Sequence, residues 1–240
     1  MKVLALDTSN QAMSVAVTVD GQLMAETLLN HKKTHSEQLL PTIKRLLAAS
    51  DLTPAALDRI VVADGPGSYT GIRIAVTTAK TLAYTLDREL VGVSSLAVLA
   101  ANVTRTKALI VPLMDARRGN VFTGVYQWVD GQLTDVVADR HLALAQLLDE
   151  VRLLNQPAFF IGADVAKMRG QITDALGGAA RFGEPVDDLP HASRLAALGA
   201  KLPPVSPITF VPRYLRLTEA ETNWLKTHHD ERHAPYVEKV

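Results

Sequence analysis

An apolar strand that runs into an aspartate occurs twice in this chain: Lys2–Leu6 leads into Asp7, and Ala108–Met114 leads into Asp115. The two aspartates are 108 residues apart (115 minus 7), and the tetrapeptide DGQL at 20–23 returns at 130–133, 110 residues on (130 minus 20). Four residues can recur by chance. Two landmarks at nearly one offset, each behind a similar strand, instead indicate a duplicated β-β-β-α unit. Such a chain folds as two similar lobes, each a mixed sheet with helices, facing one another across a cleft. Its 240 residues suffice for two modest domains.

The periodicity fills in this outline. Strands are expected at Lys2–Leu6, Met13–Val19 and Leu23–Leu29, with Asp20-Gly21 as the hairpin signal between the last two. Leu39, Leu40, Ile43, Leu46 and Leu47 give Ser36–Ala49 one apolar helical face, and Pro41 should bend that helix or delay its start. A strand at Ile60–Ala63, a Gly-Pro-Gly elbow, a helix from Ile72 to Leu86 and a strand at Leu90–Val93 complete the first half. The second half repeats the pattern with strands at Ala108–Met114, Asn120–Val129 and Ala158–Gly162 and helices at Leu142–Glu150, Ala163–Leu176 and His191–Leu202. The expected division is a lobe at 1–100, a lobe at 101–205 and a tail at 206–240 that packs back on the first lobe.

Composition removes several function classes. With 25 basic and 25 acidic side chains, the chain lacks the positive surplus of a stand-alone nucleic-acid binder. It has no cysteine, hence no disulfide, thiolate nucleophile or Cys-type zinc site. The apolar run before Asp7 is too short for a signal peptide or a membrane span, so a cytoplasmic protein is expected.

The candidate sites begin at the elbow, DGPGSYTGIR at 64–73. It lacks the Lys-Ser/Thr end of a P-loop, and Gly65, Gly67 and Gly71 miss the dinucleotide-binding spacing. Two readings stay open. Backbone N–H groups of Ser68 to Gly71 can face an anion at the helix start, or the glycines serve only the turn while Ser68 or Thr70 caps the helix. The hydroxyls and carboxylate of Asp7, Thr8 and Ser9, and the turn Asp115, Arg117, Arg118, divide in the same way between ligand contacts and plain turns. Metal binding is not expected. His31 and His35 are four apart but straddle a strand end, and His228, His229 and His233 lack acidic partners in a convincing set. Ala75, Ala79 and Ala83 form a stripe of small residues that suits close packing, either within the lobe or against a partner helix.

The motifs DTS at 7–9, HSEQLLP at 35–41, GPGSYTGIR at 65–73, DARRGNVF at 115–122 and PRYLR at 212–216 resemble the TsaB (YeaZ-type) family, bacterial accessory subunits for synthesis of tRNA N6-threonylcarbamoyladenosine. The resemblance spans almost the whole chain. It implies an α/β fold of two RNase H-like lobes of the actin-like ATPase and sugar-kinase superfamily. In that superfamily the positions of Asp7, Thr8, Ser9, Asp115, Arg117 and Arg118 face nucleotide phosphates, so the resemblance allows weak ATP or ADP binding with no required cofactor. The catalytic paralogue holds its metal through a His-x-x-x-His motif, where this chain has SSLAVLA with Ser94, Ser95 and Leu99. No catalytic residue is therefore assigned. The implied partners are a TsaD-type catalytic subunit, docked on the two helices through Leu39, Ile43, Leu46, Arg73, Ala75, Ala79 and Ala83, and a TsaE-type ATPase. The resemblance further implies tRNA contact only through the complex, a homodimer as an option when alone, and no membrane. The alternative is an independent ATP-dependent enzyme of the same superfamily.

Overall fold

The computed structural model describes residues 1–31, 34–104 and 106–216. His228, His229 and His233, with the rest of the tail from 217 onward, lie outside the described residues.

Two five-stranded sheets carry the same strand order. In the first, β1 (Lys2–Asp7), β2 (Met13–Val19) and β3 (Gln22–Leu29) make an antiparallel meander, and β4 (Arg59–Gly65) and β5 (Glu89–Ser94) add in parallel beside β1, giving β3-β2-β1-β4-β5. The second sheet repeats this with β6 (Leu109–Asp115), β7 (Asn120–Val129), β8 (Gln132–Ala143), β9 (Ala158–Ile161) and a short β10 (Ala180–Phe182), in the order β8-β7-β6-β9-β10. The duplicated landmarks fall at equivalent places. Asp7 and Asp115 end β1 and β6, and Asp20 and Asp130 open the two DG turns with φ of 50° and 49°.

Strands buried on both faces need cover on both. Leu4, Leu6, Ile60 and Val62 point to one side of the first sheet, where α1 (His35–Ala49) and α2 (Tyr69–Leu86) lie. The alternate residues Val3, Ala5, Val61 and Ala63 point to the other side. α1 begins at His35, so Pro41 does not delay it; Pro41 is exposed, and water can serve the carbonyl left without its N–H partner. A helix that the periodicity did not disclose, α3 (Ser95–Ala100), lies between the sheets. Val98 joins the core of the first, while Leu96, Leu99 and Ala100 join that of the second. The outer face of the second sheet is covered by α4 (Leu144–Leu153) and α5 (Val165–Leu176).

The last helix corrects the expected division. α6 (Ala192–Gly199), assigned by sequence to the second lobe, packs on the first sheet through Ala192, Leu195 and Ala196. Buried Arg59 of β4 fixes its C-terminal end, donating to the carbonyls of Gly199, Ala200 and Leu202 while pairing with Glu89. Residues 203–216 then run as a strap over both lobes. Val205 N–H donates to the Leu90 carbonyl, Phe210 packs on the first core beside Gly92, and Lys80 Nζ donates to the Phe210 carbonyl. Farther on, Arg216 Nη1 donates to the Ala116 carbonyl of the second lobe at 3.1 Å.

No helix among the described residues is long and apolar enough to cross a membrane.

Candidate functional site

The turn after β1 and the start of α2 are built against each other. Ser68 N–H donates to the Ser9 carbonyl at 2.7 Å, and Thr8 Oγ1 donates to the Gly71 carbonyl at 2.6 Å. A Cβ at Gly67 would strike the Ser9 carbonyl, and one at Gly71 the Thr8 carbonyl, so both glycines are needed for this approach. Ser68 caps α2, its side chain accepting from Gly71 N–H.

Asp7 is buried behind this contact. Its Oδ1 accepts from the backbone and hydroxyl of Ser9, while Oδ2 has no partner among the described residues. Burial pushes its pKa up, against the hydrogen bonds from Ser9 and the nearby His35.

A cleft of about 640 Å3 opens between the lobes in front of this wall. Of the residues singled out by sequence, Ser9, Gly67, Ser68, Thr70, Asp115, Arg117 and Arg118 line it; Asp7, Thr8, Gly65 and Gly71 do not. Those four belong to the wall, Gly65 passing against the Arg213 backbone. Across from the α2 terminus, Arg117 and Arg118 stand on the β6–β7 turn with left-handed φ of 68° and 55°. Held left-handed conformations cost about 1 kcal/mol or more per non-glycine residue. The turn is secured by Asp115, whose Oδ1 accepts from Arg117 N–H, and by Asp164, which accepts from Asp115 N–H. The strap contributes Arg216 and Tyr214, the latter 5.4 Å ring to ring from Tyr69. The arrangement can receive an anion: a helix N-terminus on one lobe faces guanidinium groups on the other.

Behind the strap lies a polar cluster that sequence reading missed. Arg213 sends Nη2 to Asp64 Oδ2 of the first lobe (3.4 Å) and Nη1 towards Asp139 Oδ2 of the second (3.7 Å). Asp139 also accepts from the hydroxyls of Tyr126 and Ser94. Burial raises the Asp64 carboxyl to about 6 against the pull of Arg213, and nearby Asp139 raises it further. These residues are far apart in sequence, and no local pattern joins them.

The expected docking residues are corrected by their burial. Leu39, Ile43 and Leu46 of α1 and Ala75, Ala79 and Ala83 of α2 all lie in the first lobe's own core. The alanine stripe is what lets α2 lie close on the sheet. Of the proposed contact residues only Arg73 is exposed, with its guanidinium over the Tyr69 ring and one nitrogen 2.7 Å from its hydroxyl. The outer faces of the two helices instead present Leu40, Ile74 and Thr77 around a groove of about 450 Å3, and Tyr84, 70% exposed, farther along α2. Among the described residues no cluster of three or more ligating side chains could hold a metal. His31 is exposed, and His35 Nε2 lies 2.9 Å from the Asn10 carbonyl.

In comparison with known proteins, residues 22–224 match the family model described as TsaD: tRNA N6-adenosine threonylcarbamoyltransferase. The tRNA threonylcarbamoyladenosine biosynthesis protein TsaB of Bacillus subtilis (strain 168) is 42% identical over 227 residues, 95% of this chain and 99% of that one. TsaB of Escherichia coli (strain K12) is 33% identical over 129 residues, 53% of this chain and 55% of its own. Among solved structures, YeaZ from Pseudomonas aeruginosa superposes with a TM-score of 0.74 at 27% identity, covering 89% of this chain and 99% of that one.

Proposed function

This chain belongs to the TsaB family of tRNA threonylcarbamoyladenosine biosynthesis proteins, and we propose that it acts there as a non-catalytic subunit that docks on a TsaD-type transferase. Its two RNase H-like lobes are those of the actin-like ATPase and sugar-kinase superfamily. The observation that carries the non-catalytic reading is the setting of α3. Where the paralogue's ligand imidazoles would stand, Ser94 caps the helix and donates to Asp139, while Ser95 and Leu99 are buried between the lobes. Those positions are occupied by packing. Docking then falls to the outer, solvent-facing side of α1 and α2, where Leu40 and Tyr84 expose apolar surface. A TsaE-type ATPase completes the assembly, and tRNA is reached through the complex.

A second reading, weak binding of ATP or ADP, has its own support in the cleft. Arg117 and Arg118 line it together with Ser68 and Thr70 at the start of α2, where phosphate is favoured. Both readings are tested together. The purified chain should co-purify with a TsaD-type partner, restore modified adenosine in a strain lacking its own TsaB, and show no ATP turnover alone. Sustained ATP hydrolysis by the lone chain, abolished by Arg117→Ala with Arg118→Ala, would replace the first reading with an independent enzyme.

A further inference from the structure

A second cavity, also of about 640 Å3, lies on the other side of the strap from the cleft, between α6 on the first lobe and β7–β8 of the second. Its walls are apolar: Ala97 of α3 and Ala101 just after it, Trp128, Leu133, Leu198 and the strap residue Leu215. Small side chains from α3 leave the space open. The volume is that of an ordinary small-molecule site, and apolar walls with a few placed polar groups are the usual lining of one.

The polar groups are unevenly distributed. At the buried end, Asp139 accepts from Tyr126 and Ser94 and lies 3.7 Å from Arg213, which also lines the cavity, so one anion and one cation stand opposite each other there. At the exposed end stand Arg194 and Lys201, on the same face of α6 and its extension as Ala197 and Leu198 (positions i, i+3, i+4 and i+7). The opposite face, Ala192, Leu195 and Ala196, is fixed on the first sheet, which directs the basic face to the cavity. Neither cation has an ion-pair partner among the described residues. The Arg194 charge is felt by His191, whose protonation it opposes. Asp135 at the mouth offsets one of the two charges. An apolar chamber with a net positive mouth selects a ligand of one kind.

We propose that this cavity binds an amphipathic monoanion, its apolar body among Ala97, Ala101, Trp128 and Leu133 and its carboxylate or equivalent between Arg194 and Lys201. The site is separate from the interlobe cleft and does not depend on the function proposed above. Calorimetric titration of the full chain with octanoate, octan-1-ol and octylamine tests it. Octanoate should bind saturably at one equivalent, at least tenfold more tightly than either isostere. Arg194→Ala with Lys201→Ala should weaken octanoate at least tenfold and leave octanol unchanged; these exposed positions leave the fold intact. Ala101→Leu should remove binding of all three, with a circular dichroism melt to show that the variant is folded. Equal affinity for the three isosteres, no saturation at millimolar octanoate, or octanoate binding indifferent to loss of both cations would overturn the proposal.

Discussion

Asp64→Asn should make this protein more stable at neutral pH, by an amount that grows with pH. Asp64 is buried under the strap, its Oδ1 without a partner and its Oδ2 facing an arginine shared with Asp139. Burial, opposed by Arg213 and reinforced by Asp139, raises its pKa from 3.8 to about 6. In the unfolded chain the ordinary value returns. The folded state therefore holds the proton more tightly, and the stability linked to this group is fully present below about 3.8 and lost as pH rises through about 6. A shift of about two units at 1.36 kcal/mol per unit amounts to ~3 kcal/mol. Asparagine has the same shape and cannot ionise, so it escapes that loss. It gives up its share of Arg213, whose side chain is 45% exposed, and a pair so placed contributes ~1 kcal/mol or less. Urea unfolding at pH 4.5, 5.5, 6.5 and 7.5 is the assay. The variant minus wild-type difference should rise across this range by ~2 kcal/mol, most of it below about pH 6.5, and then level off. A difference that does not change with pH, or that falls, would refute the placement of this carboxyl.

Ala79→Glu puts a charge between α2 and its own sheet, at a residue with 0% exposure; it should lower stability by ~3–5 kcal/mol and reduce recovery of folded protein, and a variant that melts like wild type yet fails only to bind a partner would return the stripe to the docking surface. Leu40→Asp with Tyr84→Asp should do the reverse, leaving the melting temperature within a few degrees of wild type while weakening capture of a TsaD-type partner in a pull-down by at least tenfold. The α6 start is tied to β3 by Glu26, which accepts from Ser193 N–H and lies 3.7 Å from His191. Burial raises the Glu26 carboxyl, but the neighbouring His191 and the hydrogen bonds from Ser193 outweigh it and hold the group below 4.5, while Glu26 holds the imidazole above 6.5. The carboxylate's contribution is lost as pH falls through its lowered value and the imidazole's as pH rises through its raised one, so Glu26→Gln should cost ~1–2 kcal/mol, most between about pH 4.5 and 6.5 in the same urea series.

The elements legible in advance were those whose signal is local. DG turns, strand-ending aspartates and a serine before an apolar helix each act within a few residues, and the meanders, the repeat and the Ser68 cap are where they point. Apolar periodicity was less informative, because it shows that a face is buried without showing against what. Ala75, Ala79 and Ala83 suited a partner helix as well as a sheet, and Leu195 and Ala196 carried no sign that α6 crosses back to the first lobe. SSLAVLA has no polar face at all, which is what a helix between two sheets requires and what a periodicity search passes over. The cleft was half legible. Ser9, Ser68, Thr70 and Arg117 are in it, but Thr8 is turned inward by its bond to Gly71 and Asp7 by its bonds from Ser9 in the same turn, and the Asp64–Arg213–Asp139 cluster joins residues from three distant segments.

That α6 packs on the first sheet also bears on the order in which the chain is made. The strands of that sheet are complete once Ser94 is synthesised, yet the side bearing Val3, Ala5, Val61 and Val91 is covered only in part, by Val98 of α3, until Ala192, Leu195 and Ala196 arrive. At ordinary elongation rates of roughly 5–20 residues per second, that leaves part of this apolar surface bare for about 5–20 s on the ribosome. A nascent chain in this interval is a natural client for chaperones. The first sheet is closed by segments made long after its strands, so truncation before residue 190 should leave an aggregating fragment rather than a free first lobe.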